Sequence, residues 1–134
     1  MESSEGGCLC GAVRYRLLGV PIGSAVCHCN SCRRASGAAA VAWLTVNRSQ
    51  LEWLAGRPSL FRSSAGVIRR FCGICGSAIV YENDKNPTTV DITTASLDDP
   101  NRFPPTAEVW LEDKLAWAVT DSALAQHQRL PPDS

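Results

Sequence analysis

The 134-residue chain has equal numbers of acidic and basic residues, so it offers no bulk charge for DNA, RNA or an anionic membrane. Apolar residues make up 45%, enough for a core, and no apolar run nears the roughly 20 residues that span a bilayer. The start, Met1-Glu2-Ser3-Ser4-Glu5-Gly6-Gly7, lacks the basic and apolar stretches of a secretory signal, so the expected location is the cytoplasm.

The length suits one domain, 1–134, with a core over about 7–120 and a loosely ordered C-terminal tail. Along the chain, Val13, Tyr15 and Leu17 alternate with Arg14 and Arg16, which predicts a half-buried strand over 11–19. Pro21 and Gly23 turn the chain. Residues 31–36 suit one helical turn stopped by Gly37. Residues 38–46 end in Val41, Trp43 and Thr45, which favour strand. A turn over 47–51 leads to a short strand at Trp53 and Leu54. Residues 59–62 and 67–71 read as a hairpin around Ala65-Gly66, and 77–82 and 88–94 as another pair. Residues 97–105 form a polar, proline-containing loop. Strands at 108–111 and 115–119 are expected to close the sheet, then a short helix over 123–129 and a loose tail over 130–134. The class is all-β, of several short antiparallel strands with little helix.

Seven cysteines dominate the chemistry. Their odd number and close spacing argue against a disulfide framework and for thiolates on metal. Cys8-Leu9-Cys10-Gly11 and Cys72-Gly73-Ile74-Cys75-Gly76 together offer four thiolates, a complete tetrahedral set for a structural zinc. The middle cluster, Cys27-His28-Cys29-Asn30-Ser31-Cys32-Arg33-Arg34, offers three. One reading is a second structural zinc with a fourth ligand from His28, Asp91 or His127. The other, which we favour, is an open zinc whose fourth position takes water or a ligand thiol, the usual catalytic arrangement. His28 lies between two ligands and would point away from a metal held by both. It is still the nearest candidate for a general acid. Arg33 and Arg34 follow this cluster, and Arg69 and Arg70 precede the last. Guanidinium groups would offset thiolate charge and bind carboxylates of a ligand. Trp43 and Phe71 are candidates for an apolar wall.

The chain resembles the glutathione-dependent formaldehyde-activating enzyme family, also seen in centromere protein V. The matching residues are Gly7-Cys8-Leu9-Cys10-Gly11-Ala12-Val13-Arg14-Tyr15, then Cys27 to Gly37, then Arg70-Phe71-Cys72-Gly73-Ile74-Cys75-Gly76-Ser77, then Ser96-Leu97-Asp98-Asp99-Pro100. The resemblance implies a β-tent zinc-binding fold. It implies a structural zinc on Cys8, Cys10, Cys72 and Cys75, and a catalytic zinc on Cys27, Cys29 and Cys32 that binds glutathione through sulfur. Of these two Zn2+ sites, the second is expected to be less fully occupied.

The activity so implied is that of a carbon–sulfur lyase or synthase, joining glutathione to formaldehyde as S-(hydroxymethyl)glutathione. The chemistry agrees: coordination deprotonates a thiol, and a zinc with three thiolates suits presentation of a nucleophilic sulfur. The alternative is a non-catalytic zinc-binding interaction module or carrier of thiol adducts. A redox enzyme like methionine sulfoxide reductase B would need a reactive cysteine outside the clusters, and every cysteine here belongs to one. The expected partner is glutathione or its adduct, with no nucleic acid and no membrane.

Overall fold

The computed structural model describes residues 2–131. Strands β1 (Ser3–Gly7), β2 (Arg14–Leu18) and β5 (Leu51–Ala55) form an antiparallel sheet in the order β1-β2-β5. The second sheet comprises β3 (Gly23–Cys27), β4 (Val41–Asn47), β6 (Ser59–Ser64), β7 (Val67–Phe71), β8 (Ala78–Asn83), β9 (Thr89–Thr93), β10 (Ala107–Val109) and β11 (Ala125–Gln126). Its order is β11-β10-β3-β4-β9-β8-β7-β6. The one α-helix among the described residues is α1 (Asn30–Ser36). None is long and apolar enough to cross a membrane.

Alternation sets which face each strand buries. Tyr15 and Leu17 of β2 meet Leu44 and Val46 of β4, Ile79 and Val80 of β8 and Val90 and Ile92 of β9 in the main core. Cys8 and Cys72 sit in this core, so the four-cysteine cluster is anchored to it. The opposite face of β4 carries Trp43 and Thr45. Trp43 joins Cys27, Cys32 and Val109 in a second, smaller cluster. The middle cysteines therefore lie on the far side of the large sheet from the main core.

The all-β class is as expected, with four differences in detail. β1 and β3 were not anticipated. β1 is polar and glycine-containing, yet it pairs with β2 along its whole length. A Cβ on Gly6 would come within 2.5 Å of Tyr15 Oη, so only glycine lets the two strands lie so close. Not every pairing is antiparallel: β10 runs parallel to both β3 and β11. The strand expected over 115–119 is a turn, with Lys114 Nζ donating to the carbonyls of Leu115 and Ala118.

The helix expected over 123–129 is instead the two-residue strand β11 followed by a series of bends. The carbonyls of His127, Gln128 and Arg129 accept from the amides of Leu111, Glu112 and Trp110. Pairing with the β10 segment overrides a weak helical propensity. The chain is thus held in place as far as Arg129. Of the tail expected over 130–134, residues 132–134 lie outside those described.

Candidate metal centres

Cys8 and Cys10 lie on a turn between β1 and β2, and Cys72 and Cys75 on a turn between β7 and β8. Gly11 and Gly76 close these turns with φ of 81° and 80°, a left-handed geometry open to glycine. Backbone amides then point at sulfur. Val13 donates to Cys8 Sγ at 3.3 Å, Ile74 to Cys72 Sγ at 3.4 Å and Cys75 to the same sulfur at 3.5 Å. Ser77 joins the two turns: its Oγ accepts from the Leu9 amide at 3.0 Å and lies 3.1 Å from Cys75 Sγ. That hydroxyl, foremost among several donors, lowers the Cys75 thiol to about 5.

The four sulfurs all lie within 4.8 Å of one another. Cys8 and Cys10 are separated by 3.7 Å, and Cys10 and Cys72 by 3.8 Å. Four sulfurs placed tetrahedrally at about 2.3 Å from zinc would be about 3.8 Å apart. The spacing and the donor set fit a metal of that size.

The middle cluster is built by the end of β3 and the start of α1. Cys29 is the N-cap of α1, and its Sγ accepts from the Cys32 amide at 3.2 Å. Gly37, with φ of 72°, ends the helix. The sulfurs of Cys27, Cys29 and Cys32 lie within 4.8 Å of one another. Cys27 and Cys32 are buried, whereas Cys29 is half-buried, so access is past Cys29. The neighbouring thiols of Cys27 and Cys32 lower the pKa of Cys29, while that of Cys27 is pushed up. One thiolate is thus readily formed, and a cation is needed to hold all three. Among the described residues, no fourth His, Cys, Asp or Glu joins this set.

The model of the family described as "Glutathione-dependent formaldehyde-activating enzyme" matches residues 3–113, which include all seven cysteines. The chain belongs to this family. A Halomonas elongata protein that provisionally carries the same family name is 28% identical over 127 residues, spanning 88% of this chain and 81% of its own. A crystal structure of a Rhodobacter sphaeroides protein matches with a TM-score of 0.61 at 22% identity, covering 75% of this chain and 97% of that one, and so shares the fold.

Against this family background, the expected site residues fall into distinct places. His28 and Val26 line a groove of about 500 Å³ together with Glu108, Trp117 and Leu124, while Cys27 packs with Trp43. Successive residues point to opposite faces, so His28 is turned away from the sulfurs. Its Nε2 lies 2.7 Å from Glu108 Oε1, and Glu108 Oε2 accepts from the Asp121 amide at 2.6 Å. Asp91 hydrogen-bonds to Thr45, and the His127 backbone pairs with Glu108 and Leu111. Neither side chain reaches the middle sulfurs to complete a ligand set.

Trp43 does adjoin the cluster, but Tyr81 rather than Phe71 packs beside it, 6.0 Å from the Trp43 ring. Arg34 is exposed. Arg33 is half-buried, and its buried Nε has no hydrogen-bond partner.

Sequence reasoning missed the guanidinium that meets these sulfurs most directly. Arg69, although close in sequence to Cys72, reaches across the sheet to place Nη2 3.9 Å from Cys32 Sγ. It lies over the Tyr81 ring at 5.0 Å. Its charge favours the thiolate forms of both Cys29 and Cys32. Arg70, its neighbour, points to the other face and pairs with Glu82. The alternation of β7 would have separated the two arginines; the pairing of β7 with β8 was needed to bring Arg69 to Cys32.

Proposed function

We propose that this protein is a zinc-dependent carbon–sulfur lyase/synthase acting on glutathione adducts, and that it forms S-(hydroxymethyl)glutathione from glutathione and formaldehyde. The observation that carries the reading is the convergence of Cys27, Cys29 and Cys32 without a fourth ligand among the described residues. Three protein ligands and an open position are how a protein leaves room for a reacting ligand. Cys8, Cys10, Cys72 and Cys75 form the structural site, and all seven cysteines are then used.

When bound at the middle cluster, zinc supplies the positive charge that keeps a ligand thiol ionised at neutral pH. The residues around it do the positioning. Cys27 and Cys32 hold their sulfurs from the buried side, and half-buried Cys29 leaves the outer side open. Arg69 offsets the negative charge that gathers there. Trp43 and Tyr81 wall the approach and limit water. In the forward reaction the thiolate sulfur pair forms the C–S bond, the carbonyl π pair moves to oxygen, and that oxygen takes a proton from water. The reverse reaction breaks the same C–S bond and returns that proton. His28 serves to fix the Cys27–Cys29 turn through Glu108, not as the proton donor.

Glutathione and formaldehyde also combine without an enzyme, so the test is a rate. Formation of the adduct, followed by exchange NMR at equilibrium, should be faster with the zinc-loaded protein than without it. Cys29→Ser should return the rate to the spontaneous value. Tight binding with no acceleration would overturn the enzyme assignment and leave an adduct carrier.

A further inference from the structure

The face of the large sheet that carries the middle cysteines also carries a cross-strand row. Strand register places Phe61 opposite Arg69, Arg69 opposite Tyr81, Tyr81 opposite Asp91 and Asp91 opposite Thr45. Residues directly opposite one another share a face, and the Thr45 Oγ1–Asp91 Oδ1 hydrogen bond of 2.7 Å confirms it for that pair. Trp43, two residues before Thr45, lies on the same face beside the cluster.

Two opposite charges in this row have no carboxylate or guanidinium partner, although Arg69 also meets the Cys32 sulfur. Among the described residues, neither Arg69 nor Asp91 forms a carboxylate–guanidinium pair. Their strands are separated only by β8, a backbone distance of about 10 Å. Tyr81 stands between them, with the Arg69 guanidinium over its ring. Asp91 is half-buried, with one hydrogen bond, from Thr45. Burial raises its carboxyl above the usual range, and the Thr45 bond only partly opposes this. A half-buried carboxylate with no cation is costly unless something else supplies one.

We propose that Arg69 and Asp91, on either side of Tyr81, clamp the α-amino acid end of the thiol ligand, Arg69 taking its carboxylate and Asp91 its ammonium. The inference rests on the reading of Cys27, Cys29 and Cys32 as a thiol-binding metal site. It adds the chemical class that the site selects: a thiol bearing a free ammonium and carboxylate on one carbon. The geometry suits it. Arg69 touches the cluster through Cys32 and stacks over Tyr81, so one side chain joins the metal cluster to the clamp. Planar, five-donor arginine suits a carboxylate, and an aspartate held by Thr45 keeps its outer oxygen for an N–H.

The test titrates thiols into protein loaded with Co2+ in place of zinc. The sulfur-to-cobalt absorption reports coordination directly. The probes are glutathione, N-acetylglutathione, which lacks the ammonium, and mercaptoethanol, which lacks both charges. Wild type should bind glutathione about tenfold more tightly than the N-acetyl form, in line with one charged hydrogen bond. Asp91→Asn should bind the two alike while keeping its affinity for mercaptoethanol. Arg69→Lys, which keeps the charge but loses the fork, should weaken both glutathione forms by a larger factor than mercaptoethanol, whose only loss is the contact with the cluster. If no thiol changes the absorption, the thiol-site reading fails and the clamp with it. If thiols coordinate but wild type treats glutathione and its N-acetyl form alike, the clamp alone is wrong. Equal losses for all three probes in Asp91→Asn would also overturn it.

Discussion

Glu108 Oε1 lies 2.7 Å from His28 Nε2, and both side chains are almost fully buried. The pair links β10 to the residue between Cys27 and Cys29, and the second Glu108 oxygen holds the Asp121 amide. One carboxylate thus fixes the ligand turn and the C-terminal segment together. Glu108→Ala strands the buried His28 ring nitrogen, at a cost of about 1–3 kcal/mol, and frees the part-buried Asp121 amide, which water can reach. The melting temperature should fall, and a chelator should strip the middle cluster faster. Glu108→Gln keeps an acceptor oxygen for His28 and should lose less. Unchanged melting and unchanged metal release in Glu108→Ala would refute this role.

The four-cysteine cluster clips β1–β2 to β7–β8, and its Cys8 and Cys72 are part of the main core. Metal binding at such a site is folding free energy. Cys72→Ser should reduce bound zinc from about two per chain to about one or less and promote aggregation. Metal analysis and a thermal melt decide it: full zinc content with unchanged melting would remove this site from the structural role.

Much of this was legible in the sequence because metal ligands cluster locally. C-x-C, C-x-x-C and their flanking glycines name the turns directly, and Tyr15 and Leu17 show by alternation which face of β2 is buried. What escaped depended on partners distant in sequence. β1 has no apolar alternation and is a strand because β2 pairs with it. Residues 123–129 have helical composition, but their backbone groups bond to the β10 segment. Arg69 sits three residues from Cys72 in sequence, yet its guanidinium meets Cys32. The pairing of β7 with β8, and Tyr81 beneath it, direct it there. The partnership of His28 and Glu108 likewise needs the parallel pairing of β3 with β10.

Asp91 makes a pH prediction whose sign is opposite to that of a salt-bridged carboxylate. Burial raises its folded pKa above the unfolded value, so the folded state holds the proton more tightly. Stability from this group is greatest at low pH and is lost as pH rises through the folded pKa. At neutral pH, above the unfolded value, this group therefore opposes folding. Asn can accept the Thr45 hydrogen bond without the charge, so Asp91→Asn should melt higher than wild type near pH 7. The gap should close on acidification. Paired melts of the two proteins across pH check this, and a variant that melts lower at neutral pH would contradict it.

The two clusters should differ in lability. Four cysteines could surround a metal at one cluster, whereas the other offers three, of which Cys29 is the accessible one. A chelator should therefore empty the middle site first. Once it is empty, Cys29, the thiol whose pKa is lowered by both neighbours, becomes the most reactive. Its partner should be Cys32, because Cys27 and Cys29 are only two residues apart and bridge with strain. Mass spectrometry of peptides after limited chelation in air reads the outcome. Simultaneous loss of both metals, or a Cys27–Cys29 bridge, would count against the open-site arrangement.

Direct sulfur coordination makes the sharpest demand on the ligand. Glutathione should bind the middle site through its thiolate, whereas S-methylglutathione keeps both carboxylates and the ammonium but has no thiol to ionise. The clamp contacts with Arg69 and Asp91 are the same for both, so their difference isolates the sulfur. A thioether is a much poorer zinc ligand than a thiolate, and affinity should fall at least tenfold on methylation. Binding of glutathione should also release a proton, because a protonated thiol must ionise to bind. Calorimetry in buffers of different ionisation enthalpy measures both. Cys29→Ser should abolish the difference between the two ligands by weakening the metal site. Equal binding of the methylated form with no proton release would place glutathione on the sheet face without touching the metal, and the C–S bond chemistry would lose its nucleophile.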